Sequence, residues 1–189
     1  MPADLAAARL NMVESQVRVA DVTDVRIHDA MRAVRREDLI ASDRAWQAYA
    51  DIEIEYAPGR SLMKPRDVAK LLQALRPMPG ERVLALAAPY AGAVIEAMGL
   101  AVTHQDTDIA TPADTGFDVI VCEGAVARAP AAWLAALSPG GRLGVVERPG
   151  RVGRACIYLR AGNGTGRQEA FDATAPLMAD FASQPAFVL

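Results

Sequence analysis

From residue 80 onward, short apolar runs alternate with helix-like stretches, and that alternation constrains this 189-residue chain more than any other feature. Arg82 to Ala87 reads as a strand, Ala91 to Met98 as a short helix closed by Gly99, and Leu100 to His104 as a second strand. Phe117-Asp118-Val119-Ile120-Val121-Cys122 is an almost unbroken apolar run, the pattern of a strand covered on both faces. A helix over Pro130 to Leu137, the turn Ser138-Pro139-Gly140-Gly141 and a strand from Arg142 to Glu147 follow. Spacing of this kind implies parallel βαβ units, hence an α/β fold with a mostly parallel sheet. The Ala155 to Arg160 run, a Gly-rich loop and residues 168–174 read as an antiparallel hairpin finishing the sheet.

One connection is too short for a full doubly wound sheet. Only the twelve residues Gln105 to Gly116 separate the second strand from the Phe117 strand. A five-residue strand is about 17 Å long, and twelve residues reach at most about 40 Å. They can return the chain but cannot also hold a helix and another strand. We therefore expect about six strands, with an edge left where a homodimer contact could form.

The first third reads as helical. Residues 4–19 form one expected helix with Asp4 as cap, and residues 24–35 another, with Ile27, Ala30, Met31 and Val34 on one face and Thr23 as cap. Ile52-Glu53-Ile54-Glu55-Tyr56 alternates strictly, as an edge strand does. Pro65 suits the first turn of a helix carrying Val68, Leu71, Leu72 and Leu75 on one face, stopped by Pro77-Met78-Pro79-Gly80. Trp46 and Tyr49, three residues apart, are expected in the core, and Arg35-Arg36 against Glu37-Asp38 reads as a solvated helix end.

Composition narrows the chemistry. Twenty basic side chains against 23 acidic ones leave a formal charge of −3, which offers no field for a phosphate backbone and argues against nucleic acid. Apolar runs are short and broken by Gly or Pro, so no membrane span is expected, and Met1-Pro2-Ala3-Asp4 does not open a secretory signal. A cytoplasmic location is expected. Cys122 and Cys156 each sit in an apolar run and read as buried spectator thiols. His28 and His104 share no metal-ligand spacing with each other or with a Cys. Neither G-x-S-x-G nor a P-loop is present. Gly162-Asn163-Gly164-Thr165-Gly166 spells a cofactor turn, yet it lies between two strand-like runs and reads as a hairpin loop.

Met12-Val13, Gln16, Asp24 to Glu37 and Ala48-Tyr49-Ala50-Asp51 resemble stretches of the protein-L-isoaspartate O-methyltransferase family. Met12-Val13, Gln16 and Asp24 to Glu37 are similar to its N-terminal helices, and Val34-Arg35-Arg36-Glu37 to its Val-Pro-Arg-Glu. Ala48-Tyr49-Ala50-Asp51, Phe117-Asp118-Val119-Ile120, Pro130, Leu137 to Leu143 and the ending Phe187-Val188-Leu189 match in the same order. The resemblance implies a Rossmann-like methyltransferase fold with S-adenosylmethionine as methyl donor and an isoaspartyl-containing protein as substrate. It divides the chain into an N-terminal helical extension with the substrate loop, residues 1–64, and a Rossmann-like domain, residues 65–189, in one compact unit.

The positions that the family uses are changed. Its first Rossmann strand ends in an acid followed by Gly-x-Gly-x-Gly, whose glycines let backbone N–H groups approach the cofactor. Here Ala85 stands for the acid, and Ala87, Pro89 and Ala91 stand for the glycines, with Tyr90 adding a ring. The ribose-gripping acid falls near Gln105 or Asp106, so only Asp106 could serve. The family's substrate loop Gly-x-Thr-x-Ser-x-Pro is Gly59-Arg60-Ser61-Leu62-Met63-Lys64-Pro65, with Met63 in the important Ser position. A thioether cannot donate the hydrogen bond of a hydroxyl. These changes predict a fold-retaining, catalytically inactive binding or scaffolding protein with a protein partner or a second copy of itself. The other reading is an active S-adenosylmethionine-dependent carboxyl methyltransferase with a site rebuilt around Ser61.

Overall fold

The chain builds a six-stranded sheet in the order β4-β3-β5-β6-β7-β8. The computed structural model describes residues 4–162 and 164–181, and the Phe187-Val188-Leu189 ending lies outside them. Strands β3 (Val83–Leu86), β4 (Val102–Gln105), β5 (Phe117–Val126) and β6 (Leu137–Glu147) run parallel. Strands β7 (Gly153–Ala161) and β8 (Gly164–Ala173) complete the sheet as an antiparallel hairpin, so Gly164 and Gly166 are strand residues. Ile120, Val121 and Cys122 are fully buried, as a run covered on both faces requires.

Residues 106–116 contain neither helix nor strand. Gln105 organises them: its Nε2 donates to the carbonyls of Thr107, Asp108 and Thr111, and its Oε1 accepts from Ala113 N at 3.0 Å. The sheet thus stops at β4, one strand–helix unit short of the full design. Because β3 leads through α4 (Pro89–Ala97) to β4 on one side and β5 lies on the other, the strand order reverses at the carboxyl ends of β3 and β5. That switch point is where open α/β sheets bind ligands.

Helix α3 (Pro65–Leu75) starts on Pro65 and buries Val68, Leu71, Leu72 and Leu75 against the sheet. Its first turn also buries Asp67, and burial pushes that carboxyl up from 3.8 to about 6. A raised carboxyl binds its proton more tightly folded than unfolded, so its stability contribution is complete below about pH 4 and is lost as pH climbs through about 6. The gap of about two units corresponds to about 2–3 kcal/mol. We expect the melting temperature of Asp67→Asn to be flatter than that of the parent between those pH values. Parallel pH profiles would exclude Asp67 as the titrating group.

The N-terminal region departs from one long helix. Helix α1 (Leu5–Met12), capped by Asp4, passes into a π-helical turn over Val13–Val17 and a 3-10 turn over Arg18–Ala20. The Ser15 hydroxyl donates to the Asn11 carbonyl at 2.7 Å, and the widened turn keeps both Val13 and Val17 in the core. Helix α2 (Val25–Ala33) is capped by Asp24, whose carboxylate accepts from Arg26 N, and not by Thr23. The alternating stretch near residue 54 forms a separate two-stranded hairpin, β1 (Ile54–Ala57) with β2 (Arg60–Leu62), and not an edge of the main sheet. Tyr49 is buried but Trp46 is 70% exposed. The 3-10 turn Ser42–Gln47 ends between them, which breaks the helical spacing that would have put both on one face. No helix among the described residues is long and apolar enough to cross a membrane.

Candidate functional site

The crest of the sheet at the switch point is built from β3, the first turn of α4, the end of β5 and the loop after β2. Ala87 leaves β3 with φ of +43°, the left-handed region that the family's glycine would enter freely, and its N–H donates to Gln105 O at 2.9 Å. The backbone turn therefore persists where the residue type has changed. Pro89 occupies the first position of α4, where a missing N–H is tolerated. Ala85 is buried two residues before Ala87, between His104 of β4 and Val121 of β5. Tyr90 is wholly buried.

The centre of the arrangement is a carboxylate that sequence reasoning passed over. Glu123, 1% exposed near the end of β5, accepts from Tyr90 N at 3.0 Å and Ala91 N at 3.1 Å with Oε2, and from Met63 N at 3.0 Å with Oε1. A helix amino terminus is a ready anion site through its free N–H groups and dipole. Here a side chain of the protein itself fills it. Met63 takes part through its backbone, and its carbonyl accepts from Arg36 Nη2 at 2.7 Å.

Arg36 is the second surprise. The solvated helix end expected of Arg35-Arg36 holds for Arg35 but fails for Arg36, which is fully buried. Helix α2 ends at Ala33 and Val34 is extended, so the following 3-10 turn Arg36–Leu39 carries Arg36 inward. Its guanidinium lies 4.5 Å from the centroid of the Tyr90 ring, and its Nη1 is 4.0 Å from Glu123 Oε1. Burial pushes the Glu123 carboxyl up, opposed by Arg36 and the three N–H donors, and burial likewise pulls Arg36 down. Among the described residues, Arg36 Nε and Nη1 and the Tyr90 hydroxyl have no hydrogen-bond partner. Next to this pair Glu37 receives a hydrogen bond from the Tyr49 hydroxyl and faces Arg9 at 3.4 Å.

The structure thus brings Met63, Tyr90 and Ala91 onto Glu123 through their backbone amides but leaves two candidates apart. Ser61 is half-buried in β2, opposite Glu55. Asp106 is exposed at the start of the crossover. His104 pairs with Glu96 at 3.0 Å on the surface. Asp118 accepts from Arg82 N and the Ser138 hydroxyl, a structural role that holds its carboxyl below the usual range. Cys122 and Cys156 are buried free thiols, and no cluster of metal-ligating side chains occurs among the described residues. The one signal for Glu123 in the sequence was a lone charge inside Val121-Cys122-Glu123-Gly124-Ala125-Val126, where a buried charge requires partners.

No protein-family model matches the chain. A protein-L-isoaspartate O-methyltransferase of Anaeromyxobacter dehalogenans is 31% identical over 152 residues, which cover 65% of this chain and 73% of that one. The chain belongs to the protein-L-isoaspartate O-methyltransferase family. The family's enzyme in Methylorubrum extorquens is 40% identical over 101 residues, 52% of this chain but 44% of its own length, so the match spans less than half of that relative. A solved structure described as a protein-L-isoaspartate O-methyltransferase superposes with a TM-score of 0.70 at 19% identity, covering 89% of this chain and 65% of the other. A Plasmodium falciparum structure described as the same enzyme in complex with S-adenosyl-L-homocysteine superposes with a TM-score of 0.72 at 14% identity, over 90% of this chain and 97% of that one. The Rossmann-like fold is therefore shared across the family.

Proposed function

We propose that this chain is a fold-retaining member of the family that transfers no methyl group and works as a binding or scaffolding protein for a protein partner. Glu123 carries the reading. The family's donor is S-adenosylmethionine, whose carboxylate-bearing end needs free N–H groups at the glycine turn. Here the amides of Tyr90 and Ala91 already hold the Glu123 carboxylate, and Pro89 has no N–H to give. Tyr90 packs inward under Arg36. The residues present do not fit the cofactor.

Thermal melting tests this directly. A ligand at 100 times its Kd stabilises the folded state by about 2.7 kcal/mol, which in a chain of this size raises Tm by about 5–10 °C. We expect no shift with millimolar S-adenosylmethionine or S-adenosylhomocysteine. A dose-dependent rise that saturates in the micromolar range would refute the reading and restore the active alternative, with an isoaspartyl-containing protein as substrate.

A further inference from the structure

The segment after β8 crosses the same crest from the other side. Ala125 N donates to Pro176 O, and Met178 N donates to Ala125 O, both at 2.9 Å, so the segment adds to the end of β5 through a single bridge. Met178 is 1% exposed and belongs to the apolar cluster with Leu86, Ala87, Ile109 and Cys122. It lies on Gly124, whose φ is +142° and where a Cβ would come within 2.9 Å of Met178 Cγ. Ala179 rests on Gly59, where a Cβ would come within 3.1 Å of its own. A side chain at Gly124 would thus meet Met178 and one at Gly59 would meet Ala179, so both glycines leave room for this crossing.

Among the described residues the crossing is pinned at few points. Arg60 Nη2 meets Asp180 at 2.5 Å, Arg60 Nη1 lies 3.1 Å from Met178 Sδ, and Phe181 packs edge-on against Trp133 at 5.3 Å. Two backbone hydrogen bonds, one ion pair, one buried thioether and one aromatic contact make a small cooperative unit, the kind that opens without global unfolding. Beneath it is the thiol of Cys122, fully buried and close enough to Arg60 to feel its charge. We propose that residues 176–181 form a strap that closes the crevice at the switch point and opens as one unit, uncovering an apolar cleft floored by Ala87, Cys122 and Gly124. The seat left by Met178 suits a slim unbranched apolar group. This holds whether or not the amino terminus of α4 is filled by Glu123, because the strap covers the opposite side of the crest.

Native-state labelling with an aromatic disulfide reagent, resolved by peptide mass spectrometry, tests the strap in the full chain. Cys156, buried in β7, is the internal control. We expect Cys122 to react at least about tenfold faster than Cys156, because strap opening precedes global unfolding. Met178→Ser, which removes the buried plug, is expected to raise the Cys122-to-Cys156 rate ratio by about ten- to a hundredfold. Asp180→Arg, which sets two cations against each other at the surface, is expected to raise it several-fold in a protein certain to keep its core. Equal rates for the two thiols, or a ratio unchanged in Asp180→Arg, would mean that only global unfolding exposes Cys122 and would overturn the strap.

Discussion

Glu123→Ala is expected to destabilise the protein by about 3–5 kcal/mol, the cost of leaving a buried charge without its partner. The substitution strips Arg36, which is fully buried, of the carboxylate 4.0 Å from its Nη1 and, among the described residues, leaves it the hydrogen bond to Met63 O. It also orphans the amides of Met63, Tyr90 and Ala91 in a place water cannot reach. For a chain of this length the loss lowers Tm by about 6–20 °C. Arg36→Met is expected to cost less, since Glu123 keeps its three N–H donors and the helix dipole. In the Glu123→Ala background Arg36→Met should be nearly neutral or stabilising, a coupling of about 1–3 kcal/mol. Thermal or urea unfolding of the two single variants and the double variant closes the cycle. Additive effects, or a Glu123→Ala protein within about 1 kcal/mol of the parent, would show that the pair is not the keystone of the crest.

The second large effect concerns turnover. The family's reaction moves a methyl group from a sulfonium to a carboxylate, with no covalent intermediate implied, so the protein contributes mainly by holding donor and acceptor at near-attack distance. Such positioning is worth about 7–11 kcal/mol. In the reading proposed above, the amide of Tyr90 held by Glu123 is not free for the donor, and Met63 stands where the family's hydroxyl would hold the acceptor. Losing both should abolish turnover outright. We expect no labelled methyl transfer to an isoaspartyl peptide above a no-enzyme control. Met63→Ser should not rescue it, because Met63 serves the site through its backbone and the change frees neither Tyr90 N nor Ala91 N. Methyl ester formation by the unmodified protein, lost in Ser61→Ala, would show instead that the site had been rebuilt around Ser61.

Much of the crest was legible residue by residue. The substitutions at Ala87 and Pro89 stand out from alignment of a local motif, a short-range property of the chain, but the helix expected from Ala91 begins two residues earlier, on Pro89. Trp46 was misplaced because helical spacing was extended across the end of a short 3-10 turn that leaves little trace in composition. Arg36 and Glu123 were missed for a different reason. A charged residue beside other charged residues looks solvated, and only the turn at Val34 makes Arg36 a core residue.

The sequence by itself determined the α/β class, the six-strand limit set by the length of the 105–116 connection, and the family. Each depends on local periodicity, chain reach or residue order, which a linear string carries in full. Only the tertiary structure decided what fills the switch point. Glu123, Arg36 and Met178 come from distant parts of the chain and meet because the sheet brings their elements to one crest, where burial forces every charge and amide to find a partner.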